Sequence, residues 1–234
     1  MKIRNLILCV LFAFIVLEVL FNSLDHTTVL ELIFKPLIMV WIAFYFIVNL
    51  TDKSHPVVLP TLIAFFFSWV GDLLLLLSGT LFFLSGLGAF LIAHLFYIYA
   101  FLQVEDSNRT PFLRKKAWMF LPFIAYSVPM FWILFPGMSQ FMRIITIIYT
   151  LTILTMAGSA LNRKTRVPEN SFLLVMMGAI FFVCSDSLIA VNKFALKIPH
   201  SGFWVMSSYI LAQLLMMIGL LEQIRNNNKS NSNG

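Results

Sequence analysis
Apolar residues run along this chain in eight long stretches, roughly 5–22, 32–49, 57–77, 81–102, 117–135, 141–161, 170–191 and 203–222. A helix needs about 20 such residues to cross the hydrocarbon core of a bilayer. The connections between the stretches are short, so neighbouring helices are expected to run antiparallel. The pattern predicts an all-α polytopic membrane protein: a single bundle of about eight transmembrane helices over 1–222. A polar tail over 223–234, rich in Asn, Ser and Lys, is expected to be disordered. The first stretch, preceded by Lys2 and Arg4, has the outline of a signal peptide. No A-x-A-type cleavage site follows it and the next span comes soon after, so it reads as the first transmembrane helix.

Charge placement supports this reading and gives it an orientation. If the N-terminus is cytoplasmic, the inner segments carry Lys2, Arg4, Lys53, Arg109, Arg114, Lys115, Lys116, Arg163, Lys164, Arg166, Arg225 and Lys229, twelve in all, and the outer ones only Lys35, Arg143, Lys193 and Lys197. Cytoplasmic loops carry the excess of Lys and Arg, so an even number of spans with both termini inside is expected, in a bacterial cell (inner) membrane. Composition agrees: 60% of the residues are hydrophobic and 11% charged, against about 25% charged in a soluble domain. The net charge of +6 sits in short loops, where topology requires it, and does not point to nucleic acid. Cys9 and Cys184 both fall inside apolar stretches and form neither a disulfide framework nor a metal-ligand spacing.

Ionisable residues inside such helices cost at least ~2.5–3.5 kcal/mol at the bilayer centre, so each one calls for a reason. They are Glu18, Lys35, Asp72, His94 and Asp186, with polar support from Ser68, Tyr97, Ser185, Asn192, Lys193, Tyr209 and Gln213. Asp72 is the sixteenth residue of the third expected span and Asp186 the seventeenth of the seventh. Both spans run outward, which puts the two carboxyl groups at similar depth, able to face one cavity. Gly71 and Ser185 precede them, small residues that let a neighbouring helix, water or a ligand come close. Ser68, at i−4 from Asp72, shares its helical face. The competing reading is structural, each Asp accepting hydrogen bonds from a neighbouring helix. Gly86, Phe90, His94, Tyr97 and Phe101 form one helical face, suited either to a lipid-chain channel or to core packing around one satisfied histidine. Tyr209 and Gln213, at i and i+4, are expected to line the interior. Lys35 with Pro36 opens the second span, where Pro is at home in the first turn and Lys snorkels; Glu18, near the outer end of the first span, also reads as structural.

Metal chemistry is poorly supported. Only His94 of the four histidines is deep in a span, and neither HxxxH nor CxxC occurs. A GxSxG elbow and a glycine-rich phosphate loop are also missing. A weak internal echo lies at an offset of 114 residues, Phe67-Ser-Trp-Val-Gly-Asp72 over Phe181-Phe-Val-Cys-Ser-Asp186 and Gly88 over Gly202. Four spans separate the copies, so any repeat would be parallel.

Several motifs together resemble the YhhN family, over nearly the whole chain from the second span to the last. They are Lys35-Pro36, Phe-x-x-x-Gly-Asp72, Gly88-x-Phe90-x-x-x-His94-x-x-Tyr97, and Gly178-Ala-x-x-Phe-x-x-Ser185-Asp186-x-x-x-Ala-x-Asn192-Lys193-Phe194, followed by Tyr209-x-x-Ala-Gln213. The Ser-Asp…Asn-Lys-Phe run is the most specific piece. Animal members of that family are lysoplasmalogenases. The resemblance implies an eight-helix membrane hydrolase that needs no cofactor and cleaves the vinyl ether bond of a lysophospholipid. The products would be a fatty aldehyde and glycerophosphoethanolamine or glycerophosphocholine. It makes Asp72 and Asp186 the natural active-site pair.

The chemistry suits these residue types. A vinyl ether is hydrolysed by protonation of its β-carbon; water then adds to the oxocarbenium ion, and the hemiacetal collapses. One carboxylic acid and one carboxylate suffice, a division that nearby buried carboxyl groups adopt and that glycosidases use around a related transition state. Asp72 and Asp186 are expected to form this pair, with Lys35, Lys193 or His94 at the phosphate and Asn192 orienting water or head group. The competing class is a proton-coupled transporter of a small or lipid-like solute, which also uses intramembrane acids and would suit a repeat. Against it, the two halves hold no matching pair of Gly/Pro-interrupted helices. A structural or sensory protein without chemistry ranks last, because it leaves the polar cluster without a purpose.

Overall fold
The computed structural model describes residues 29–104 and 109–232. Among them the secondary structure is entirely helical: α1 (Val29–Val48), α2 (Val58–Leu76), α3 (Thr80–Leu102), the single turn α4 (Phe112–Lys115), α5 (Leu121–Leu134), α6 (Gln140–Asn162), α7 (Glu169–Phe194) and α8 (Ser201–Ser232). Six helical segments are long and apolar enough to cross a membrane, and they coincide with the third to eighth expected spans. The second expected span coincides with α1, whose apolar part is the shorter Lys35–Val48. The first, 5–22, with Glu18, lies outside the described residues.

Three elements depart from the sequence reading. α1 is already helical at Val29, so Lys35 and Pro36 lie inside the helix and not in its opening turn; membrane helices tolerate an internal Pro because their surroundings re-satisfy the freed backbone. The span over 117–135 is composite. A 3₁₀ turn, Ala117–Phe120, precedes α5, Pro129 lies within α5, and a second 3₁₀ turn, Phe135–Gly137, closes it. Finally, α8 continues through residues 223–232, where disorder is expected from composition. The polar residues there find partners at hand: Asn226 Nδ2 donates to Glu222 O at 2.9 Å and to its Oε1 at 3.0 Å, and buried Gln223 donates to Gln103 O at 2.7 Å.

Two close hairpins make the frame. α2 packs on α3, and α7 packs still more extensively on α8. α6 lies against both α3 and α7, and α1 against α2 and α8. The turn between α2 and α3 depends on Gly79, whose φ of 122° is open to glycine and strained for other residues. In the α7–α8 hairpin the helices touch at glycines. A Cβ on Gly178 would stand 2.6 Å from Met216 Cγ and 2.8 Å from the Ala212 carbonyl oxygen, and one on Gly219 would stand 2.7 Å from Val175 Cγ2. Small residues at helix contacts are what membrane bundles use, since lipid supplies no hydrophobic drive to association. The buried set accordingly mixes Ala89, Ala93, Ala100, Ala157, Ala160, Ala179 and Ala212 with Ser68, Ser171 and Ser185, while Phe66, Leu81, Leu95, Trp132, Phe141 and Leu151 point outward.

At the C-terminal end of α6, Arg163 is fully buried. Its Nη2 donates to Ser171 Oγ at 2.7 Å, Ser171 Oγ donates to Gly219 O at 2.7 Å, and the guanidinium lies 5.5 Å from the Phe101 ring. A residue that the topology rule counts as a loop charge thus ties α3, α6, α7 and α8 together. The backbone contact at Gly178 gives a stability test. Gly178→Ala should lower the thermal stability of the detergent-purified protein, by about 1–3 kcal/mol for overpacking. Gly88→Ala, where a Cβ meets nothing within 4 Å, should not lower the melting temperature, since Ala is the better helix former.

Candidate active site
The two aspartates lie on the first helices of the two hairpins, Asp72 on α2 and Asp186 on α7. Each faces outside its own hairpin. Tyr209 of α8 donates its hydroxyl to Asp72 Oδ2 at 2.9 Å. Beside it, Tyr97 of α3 donates to Gln213 Oε1, and Gln213 Nε2 donates to Ser68 Oγ at 3.1 Å. Asp72, Ser68, Tyr97, Tyr209 and Gln213 are all buried. This network therefore crosses from α2 and α3 to α8 with its polar atoms turned on one another, the arrangement a buried polar group requires.

Asp186 sits in a different cluster. Tyr149 of α6 donates to its Oδ2 at 2.5 Å, and His94 Nε2 of α3 approaches the same oxygen at 3.7 Å. Aromatic rings stand between this cluster and the Asp72 network. Phe182 has its centroid 4.8 Å from His94 and 5.6 Å from Tyr209, and Phe90 lies 5.8 Å from Tyr209. The expectation that the two carboxyl groups face one cavity meets this geometry: Asp186 lines two pockets, and Asp72 lines neither.

The two pockets meet at Asp186. One, with about 460 Å³ of empty space, lies among α2, α3, α6 and α7 and is walled by Leu75, Phe83, Leu87, Phe90, Ile189 and Phe194. The other, about 500 Å³, lies among α5, α6 and α7 and adds hydroxyls from Tyr126, Ser127, Thr150 and Ser187 to apolar walls. Thr146, Tyr149, Asp186 and Ala190 belong to both. Every lining residue is on a membrane-spanning helix. A mostly apolar cleft with a few convergent polar groups is the form a lipid-chain site takes.

The remaining sequence candidates fall into place around this centre. Lys193, in the last turn of α7, holds its Nζ 4.9 Å from the centroid of Phe83, a ring that lines the first pocket. Asn192 accepts a hydrogen bond from Ile198 N at 3.0 Å and so shapes the connection to α8. Lys35 and His94 line neither pocket, and Tyr97, Tyr209 and Gln213 belong to the Asp72 network. Sequence reasoning passed over Tyr149, the residue closest to Asp186. The available signal was its position in the middle of a span at i+3 from Thr146, with Thr150 and Ile153 completing the face; an uncharged tyrosine in an apolar helix does not stand out. Among the described residues no group of three or more His, Cys, Asp and Glu is placed to hold a metal ion.

Comparison with known proteins matches these features to a family. The model of the YhhN family matches residues 30–220, which take in every residue named at both clusters. Lysoplasmalogenase TMEM86A of Homo sapiens is 30% identical over 178 residues, 72% of this chain and 68% of that protein. Lysoplasmalogenase TMEM86A of Bos taurus is 26% identical over 172 residues, 72% of this chain and 68% of that protein. Lysoplasmalogenase TMEM86B of Sus scrofa is 29% identical over 138 residues, 59% of this chain and 54% of that protein. No solved structure matches the chain. With the family model covering most of its length, this multi-span helical membrane protein belongs to the YhhN family.

Proposed function
We propose that the protein is a membrane hydrolase of lysoplasmalogenase type, cleaving the vinyl ether of a lysophospholipid with Asp186 as the proton donor. The observation that carries this reading is the position of Asp186, a carboxyl group shared by two largely apolar pockets inside the helix bundle. The names of the relatives supply the substrate class. The reading takes the chain as an eight-span protein with both termini on the cytoplasmic side, and the lipid reaches the site from the bilayer.

The chemistry then runs through one side chain. Asp186, protonated at the start, gives its proton to the β-carbon of the alkenyl chain. The α-carbon becomes an oxocarbenium ion, next to the carboxylate just formed. Water adds to that carbon and returns a proton to Asp186. Transfer of a proton from the hemiacetal hydroxyl to the ether oxygen breaks the C–O bond, leaving fatty aldehyde and the glycerophospho-alcohol. One H₂O is consumed and Asp186 ends as it began. Tyr149, donating to Oδ2, stabilises the carboxylate in the interval. The first pocket takes the hydrocarbon chain, and Lys193, beside Phe83 of its wall, takes the phosphate. Asp72 serves at one remove, fixing Tyr209 and so the rings of Phe90 and Phe182 that separate the two clusters.

The test is aldehyde release from a lysoplasmalogen by purified protein. Wild type should turn over and Asp186→Asn should lose at least about 100-fold in kcat, the usual scale of general acid catalysis. Uptake driven by a proton gradient with no turnover would establish the carrier instead. Lys193→Gln should raise KM with little change in kcat, the signature of lost ground-state binding. Tyr209→Phe should lower thermal stability by about 1–3 kcal/mol, because it removes a donor from a buried carboxyl group. Tyr126→Phe, at a residue 41% exposed, should not.

A further inference from the structure
His94 is wholly buried, and neither of its ring nitrogens has a hydrogen-bond partner. An imidazole always carries at least one N–H, and leaving such a donor unmet in an apolar interior is costly. Few arrangements justify it. Substrate binding is not among them, since His94 lines neither pocket. The ring is instead clamped edge-to-face by Phe182 at 4.8 Å and by Tyr149 at 5.4 Å, with Nε2 directed at Asp186 Oδ2, 3.7 Å away. The groups that face it from the packed helices are therefore Asp186 of α7 and Tyr149 of α6; on its own helix Tyr97 stands one turn on and is taken up by Gln213.

We propose that His94 is a positioning residue that acts through Asp186. Its Nε2–H is held just out of reach of the neutral acid and closes onto Oδ2 when the proton leaves. The inference rests on the reading of Asp186 as the proton donor. Tyr149 and His94 approach the same oxygen, Oδ2, so the departing proton belongs to Oδ1. While Asp186 is neutral, Oδ2 is a weak acceptor already served by Tyr149, and a gap of 3.7 Å is too long for a hydrogen bond. Once the proton has gone to carbon, Oδ2 carries negative charge, and charge-assisted bonds are shorter and stronger. His94 then supplies a second donor at the moment charge appears. An interaction made only after the proton begins to move lowers the barrier without tightening substrate binding. The cost of the unmet donor in the resting protein is thus relieved on the way to the transition state.

Side-chain geometry provides a sharp test. The amide nitrogen of Gln reaches about where Nε2 of His does, whereas that of Asn reaches only the Nδ1 position. His94→Asn and His94→Leu should lower kcat for aldehyde release about 100-fold, the usual loss for one such donor. KM should stay within about twofold. His94→Gln should retain kcat to within about tenfold of wild type. An unchanged kcat in His94→Leu, a rise in KM without loss of kcat, or His94→Gln as poor as His94→Asn would each overturn the proposal. Infrared spectroscopy of the purified protein without substrate tests the same pair independently. With Asp186 ionised at raised pH, its carboxylate band, assigned by its loss in Asp186→Asn, should move in His94→Leu and hold its place in His94→Gln; with Asp186 neutral, its carboxyl band should be the same in wild type and both His94 variants. A carboxylate band indifferent to His94 refutes the coupling. If wild type releases no aldehyde while the band responds to His94, the substrate reading fails and the pair stands.

Discussion

In hydrocarbon a polar group has only the protein to bond with, and that constraint orders everything else in this bundle. The helices do not associate because they are greasy, since the lipid around them is equally so. They are located relative to one another by the few places where a donor on one must meet an acceptor on another. The Asp72–Tyr209 bond joins α2 to α8, the Gln213–Ser68 bond repeats that link a turn away, and Ser171 joins α7 to the backbone of α8. Glycines at 178 and 219 let the backbones of α7 and α8 come close enough for the last of these bonds to form.

Within that frame the two aspartates have opposite surroundings. Asp72 is enclosed, with polar neighbours arranged around it on three helices. Asp186 is bonded on one oxygen and opens to space on two sides. The first environment suits a group whose task is to hold shape, the second a group whose protonation state changes in use. Similar sequence contexts, a small residue followed by Asp late in a span, thus lead to different surroundings. The difference lies in which helices pack against each carboxyl group, and local sequence does not carry that information.

The same distinction explains how much could be read in advance. Span positions are legible because an uninterrupted apolar run has few structural uses, and the cost of burying charge made Asp72, His94 and Asp186 conspicuous. Tyr149 escaped because tyrosine is at home in apolar helices, and only the approach of α6 to α7 gives its hydroxyl a meaning. Depth along a helix follows from counting residues, but rotation about its axis does not, so equal depth does not foretell which pockets each aspartate lines: Asp186 lines two and Asp72 neither. The helical run at the end of α8 is not legible from composition, since polar Gln223 bonds to the Gln103 carbonyl just past α3 and Asn226 bonds within α8 itself.

Both pockets at Asp186 are walled entirely by transmembrane helices, and this inverts the usual supply problem of a hydrolase. In water-borne enzymes the organic substrate is dilute and the nucleophile is solvent. Under the proposed function a lipid of the surrounding leaflet is the abundant reactant, the long-chain product drains sideways without crossing an aqueous phase, and the single water molecule becomes the reagent that must be imported. Dryness would then set the pace and guard the intermediate alike, making hydration of the bundle the natural point at which such a membrane could throttle the turnover of its own lipids.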